Sequence, residues 1–159
     1  MATATYIPIA TQTLGSAASS ITFSSIPSTY TDLRLVLVCT TNAVDNAQIQ
    51  FNSDTATNYS QTTLYGAIST SFTSNTVLQW TAAGGTNTTN PSFYQMDIFS
   101  YAGSTNKTAL LLSSEDNNGS GFVEIIVGLW RSTNAINRID LKSGGTTFKA
   151  GTIATLWGI

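Results

Sequence analysis

Apolar and polar side chains alternate in short runs along most of this chain. Ile49 and Phe51 oppose Gln48 and Gln50; Tyr94, Met96 and Ile98 oppose Gln95 and Asp97; Ile139 and Leu141 oppose Arg138 and Asp140. A period of two sends one set of side chains to a core and the other to water, the signature of an antiparallel sheet. Nowhere do apolar residues recur at the i, i+3, i+4, i+7 spacing of a helix, and the β-branched content works against one. The pattern predicts strands near 6–14, 20–26, 31–41, 46–52, 60–68, 75–82, 92–101, 106–114, 121–132, 135–142 and 151–158, divided by clusters of Gly, Asn, Ser and Thr. So many short strands without helices predict an all-β fold, a jelly-roll-like antiparallel β-sandwich.

Two strands break the alternation. In "LRLVLV" Leu33, Leu35 and Leu37 take one face while Val36 and Val38 take the other. In "FVEIIVGLW" Val123, Ile125, Val127 and Leu129 share the face assigned to the core, and Phe122, Glu124, Ile126 and Trp130 fall outside. Either loops and a neighbouring edge cover these outer residues, or a second subunit does. On the second account Val36, Val38, Ile126 and Trp130 are the oligomer contacts. Residues 1–20 form an uncharged leader, either the first strand or an arm laid on a neighbour by strand addition, ahead of a sandwich over 21–159. The closing "GTIATLWGI" places Ile153, Thr155 and Trp157 on one face with Leu156 opposite, and is expected to be tied into a sheet or interface.

Composition changes what the surface can do. Charged residues are 9% of the 159, against about 25% in ordinary globular proteins. Thr, Ser and Asn number 27, 19 and 12 and take up the difference. Such a surface can lie against a neighbour with few ions to desolvate. Net charge is −2 and the six basic residues are scattered. Neither nucleic-acid binding nor a polybasic hold on a membrane is expected. The N-terminus has no basic segment before an apolar core, so it does not read as a signal peptide.

Candidate chemistry is sparse. With no His and one Cys, thiolate–imidazole zinc sites and Cys–His or Ser–His–Asp catalysis are excluded. Cys39, within "LRLVLVCTT", reads as a small core residue. Three of the eight acidic residues, Glu115, Asp116 and Glu124, cluster in "EDNNGSGFVEIIVGLW". A glycosidase needs two carboxylates about 5–9 Å apart in a cleft. "DNNGSG" instead has the composition of a hairpin loop, with Glu124 on the outer face of the return strand. Asp54 in "FNSDTATNY" reads as an Asx turn rather than a calcium loop, and "AAGGTNTTNP" and "KSGGTTF" read as strand connections. No catalytic residue, metal ligand or cofactor is assigned. Tyr59, Tyr65, Trp80 and Tyr101 are candidates for stacking on sugar rings, and they equally suit a sandwich core.

Four blocks together carry a family resemblance: "SSITFSSIPSTYTDLRLVL" (Ser19 to Leu37), "FNSDTATNYS" (Phe51 to Ser60), "DNNGSGFVEIIVGLWRSTNAINRIDL" (Asp116 to Leu141) and "GTIATLWGI". In this order they resemble small virion proteins of tailed bacteriophages. The resemblance implies a non-enzymatic β-sandwich module, either a capsid decoration (cement) protein or part of a tail fibre or receptor-binding tip, and a symmetric oligomer, often a trimer. Its implied partners are the major capsid protein or another virion protein, and a host glycan on the tail reading. A single compact domain favours decoration, and a place on the capsid surface over one on the tail.

Overall fold

The computed structural model describes residues 5–65, 68–80 and 85–159, and among them there is no helix. Among these residues twelve strands form two antiparallel sheets. The larger sheet holds β1 (Ile7–Thr13), β3 (Leu33–Cys39), β5 (Tyr59–Tyr65), β6 (Ile68–Asn75), β8 (Ser92–Phe99), β9 (Lys107–Asp116), β10 (Gly121–Trp130) and β12 (Ile153–Gly158), in the order β1-β12-β3-β8-β9-β10-β5-β6. The smaller holds β2 (Ser20–Phe23), β4 (Gln48–Phe51), β7 (Leu78–Gln79) and β11 (Ile139–Lys142), in the order β2-β11-β4-β7. The result is a jelly-roll-like antiparallel β-sandwich.

One apolar cluster joins the sheets. Leu33, Leu35 and Leu37 of β3, Tyr94, Met96 and Ile98 of β8 and Leu111 of β9 meet Ile21 and Phe23 of β2, Ile49 and Phe51 of β4 and Ile139 and Leu141 of β11. These are the inward members of the alternating runs, so period-two patterning fixes most of the core. Residues 7–13 of the leader are the edge strand β1, paired with β12 from Ile7↔Gly158 to Thr13↔Ile153. The closing segment lies between β1 and β3.

The sequence pattern and the structure part in three places. The expected strand at 75–82 is only the two-residue β7, and the stretch "ISTSFTSN" forms the edge strand β6. That stretch is rich in Ser and Thr, so its outline carries little hydrophobic period to read. The expected strand at 135–142 begins only at Ile139. Before it the chain loops over Asn52, whose side chain accepts from the Asn137 and Arg138 amides (3.0 and 3.1 Å) and donates to the Ala135 carbonyl (2.8 Å). Part of the first paired-glycine connection, residues 81–84, lies outside the described residues.

The third difference is the phase of β10, which is the reverse of the expected one. Phe122, Glu124, Ile126, Gly128 and Trp130 point inward, and Val123, Ile125 and Val127 are exposed. Counting apolar residues favours the wrong face, because Glu124 and Gly128 weigh against the inner one. What decides is shape and hydrogen bonding at the end of the strand. The Trp130 indole stacks on Tyr59 at 6.4 Å, packs against Phe51 at 5.6 Å and donates Nε1–H to Asp54 Oδ2 at 2.7 Å. Gly128 leaves room for Leu78: a Cβ there would stand 2.9 Å from its Cδ1. A glycine inside a strand often marks such a close approach.

Candidate functional site

The hairpin between β9 and β10 closes as a tight turn, and the pairings Phe122↔Glu115 and Glu124↔Ser113 set Glu115 and Glu124 diagonally on the same inner face. The Asn117 N–H donates to the Ser120 carbonyl at 2.6 Å, and the Asp116 side chain accepts from the Gly119 amide at 2.9 Å. Asn118 and Gly119 take the positive φ values, 56° and 88°, that a tight hairpin requires. Glu115 accepts from Ser92 Oγ (3.1 Å) and Asn117 Nδ2 (2.9 Å). Glu124, expected outside, is fully buried on the inner face, in the cross-strand row of Tyr65, Ser113 and Tyr94. Asp54 forms the Asx turn, accepting from the Ala56 amide and from Asn58 Nδ2, both at 2.9 Å. Burial raises the Asp54 carboxyl, but hydrogen bonds from Asn58, Trp130 and Ala56 outweigh it and hold the group below the usual carboxylate range. Cys39 is buried and its thiol is pushed up to about 12 by that burial. Among the described residues no three His, Cys, Asp or Glu side chains gather to hold a metal.

The predicted sugar platform does not assemble. Tyr59, Trp80 and Tyr101 are wholly buried, so their ring faces are spent on packing. Their polar ends are also engaged within the chain: Tyr59 Oη accepts from the Phe51 amide, Trp80 Nε1–H donates to the Leu112 carbonyl at 3.2 Å, and Tyr101 donates to the Pro27 carbonyl. Tyr65 is exposed and meets Phe122 edge-on at 6.4 Å. Of the four proposed contact residues, Ile126 and Trp130 lie in the core as a consequence of the β10 phase. Val36 and Val38 do stand on the outer face, half-buried and exposed respectively.

That outer face of the eight-stranded sheet is where unspent chemistry lies. Across β5, β10 and β9 one cross-strand row reads Leu64–Ile125–Leu112, and the next reads Thr62–Val127–Leu110. Val123 extends the field on β10, and its row continues through Ser114 and Phe93 to Val38 and Ile153. Val123, Val127 and Leu64 are 66%, 51% and 50% exposed. The run "TALLLSS" signals this, since three successive leucines must place at least one on each face of a strand.

Towards β1 the same rows change character. The row Val127–Leu110 continues as Asp97–Arg34–Trp157–Pro8. Arg34 grips Asp97 with two parallel bonds, Nε–Oδ1 at 2.6 Å and Nη2–Oδ2 at 2.7 Å. Its Nη1 donates to Tyr6 Oη at 2.9 Å, and the guanidinium carbon sits 5.1 Å from the Tyr6 ring centre. The hydrogen bonds to Asp97, against the opposing effect of burial, raise the Arg34 pKa further. Tyr6, Arg34, Val36, Gln95 and Trp157 line a shallow depression of about 370 Å³.

No protein-family model matches this sequence, and no curated protein does. Among solved structures, the galectin LEC-6 of Caenorhabditis elegans is similar at a TM-score of 0.39 and 13% identity, over 92% of this chain and 94% of that one.

Proposed function

We propose that this chain is a non-enzymatic structural protein of a bacteriophage virion, a decoration protein that assembles as a symmetric oligomer, a trimer, and reinforces the capsid by bridging its subunits. The observation that carries this reading is the apolar field on β5, β9 and β10. Leu64, Leu110, Val123, Ile125 and Val127, with Val38, Phe93 and Ile153 beside them, expose on the order of 600 Å² of side chain, at the upper end of what a lone monomer shows. A stable two-body interface buries about 800 Å² a side. One such contact is therefore weak alone, and suits a protein held by many copies whose small free energies add through avidity. The low charge supports the same reading, because few ions need desolvating at a contact. The rival, a tail module that recognises host glycans, loses Tyr59, Trp80 and Tyr101 to the core.

Cryo-electron microscopy of the particle that carries this protein tests the reading. Density for the sandwich on the head lattice, bridging capsid subunits, is the expected result. Density confined to the tail, or a purified particle without the protein, overturns it.

A further inference from the structure

We infer that the depression lined by Tyr6, Arg34, Gln95 and Trp157 is a binding site for a neutral pyranose, the terminal sugar of a glycan. Three features select this ligand class. The first is the indole. Trp80 and Trp130 are buried, whereas Trp157 is half-buried on the outer face and lines the depression. A pyranose offers an apolar C–H face of matching size, and an aromatic ring beside polar groups receives it well. The second is a polar array, with Asp97 and Arg34 in the cross-strand row of Trp157 and Gln95 in the next row, opposite Val36. Arg34 and Asp97 hold each other in a bidentate pair, and Gln95 Nε2 lies 3.4 Å from Asp97 Oδ2. Donors and acceptors are thus fixed side by side before any ligand arrives, which lowers the ordering cost of binding. The third is charge. The guanidinium is already neutralised by Asp97, and among the described residues no second Lys or Arg lines the depression. An anion finds little net attraction there, while hydroxyls, each both donor and acceptor, match the array.

This site lies on the β1 side of the apolar field and borders it where Gln95 pairs with Leu112, but it uses none of the field's exposed side chains, so its failure leaves the assembly reading untouched. The test uses the intrinsic fluorescence of the whole protein, because Trp157 is the tryptophan most open to a soluble quencher. The probes are the methyl glycosides of glucose, galactose, mannose and N-acetylglucosamine, each titrated to about 50 mM, with sodium sulfate as the anion comparison. At least one glycoside is expected to protect Trp157 from acrylamide saturably, with a dissociation constant of about a millimolar. Gln95→Ala is expected to weaken that protection at least about tenfold, and Trp157→Phe to remove the signal while an unchanged thermal melt reports an intact fold. No saturable protection by any glycoside overturns the inference. So does protection that survives Gln95→Ala undiminished, or sulfate that protects as well as the sugars.

Discussion

The two sheets turn very different outer faces to the surroundings, although the same alternation builds both. On the small sheet the outward residues are Thr22, Gln48, Gln50, Gln79, Asp140 and Lys142. Several of them are tied down by hydrogen bonds: Arg138 and Thr22 hold Asp140, and Lys142 Nζ donates to Gln50 Oε1 at 2.7 Å, while Gln50 and Asp140 are themselves only 4% and 5% exposed. On the large sheet the corresponding positions of β5, β9 and β10 are Leu64, Leu110, Leu112, Val123, Ile125 and Val127. A sheet that only needs to sit in water is made like the first. The second gives up solvation over three adjacent strands, and the advantage returns only when another surface covers it.

The sharpest way to break this comparison is to attack the two faces of β10 separately. Trp130→Ala removes a side chain packed on Phe51 and Tyr59 and bonded to Asp54. It should cost about 3–5 kcal/mol of folding stability, read from urea unfolding. A variant with wild-type stability that merely fails to associate would restore Trp130 to the surface and reverse the strand's phase.

Ile125→Asp tests the opposite face of the same strand. The exposed position should tolerate the change within about 1 kcal/mol of folding stability. Its association should weaken at least about tenfold, since a carboxylate must then be desolvated in the middle of the field. Sedimentation of the variant beside Gln50→Ala, on the small sheet, makes the contrast direct. Equal masses for Ile125→Asp and wild type would remove the field as an assembly surface.

How far the sequence discloses this molecule differs between the same two faces. Where alternation is clean, as at Ile49 and Phe51 or Tyr94 to Ile98, side-chain period alone separates inside from outside. Where both faces are apolar, period carries no phase. On β10 the choice rests on Trp130 reaching Asp54, 76 positions away in sequence, and on the space Gly128 leaves for Leu78. Neither contact is visible until the strands are registered. The same holds for the depression: Arg34, Asp97 and Trp157 lie far apart in sequence and become neighbours only through the pairings of β3 with β8 and β12. Tyr59, Trp80 and Tyr101 show the converse, because aromatics beside polar residues look alike in sequence whether they face a sugar or a core.

The smallest expected effect belongs to the polar face of the small sheet. Burial pushes the Asp140 carboxyl up, but hydrogen bonds from Arg138 and Thr22 and the charges of Arg138 and Lys142 outweigh it, so its pKa lies below the ordinary 3.8. A carboxylate depressed in the folded state contributes stability that is complete above the unfolded value and fades as pH falls through the folded one. Stability should therefore be level from neutral pH down to about 5 and decline below about 4. Asp140→Asn keeps the shape but removes the charge. The Arg138 side chain is 41% exposed and that of Asp140 only 7%, so the pair is half-screened and the loss at neutral pH should be about 0.5–1.5 kcal/mol. The informative reading is the slope: urea midpoints of the variant should fall less steeply between pH 4 and about 2.5 than those of wild type, because one of the depressed carboxylates is gone. Asp54, depressed by its own hydrogen bonds, keeps part of the acid sensitivity in both proteins. Identical acid limbs would mean that the Arg138–Asp140–Thr22 cluster is as loosely held as any surface ion pair. The polar face would then owe its order to the strands beneath it.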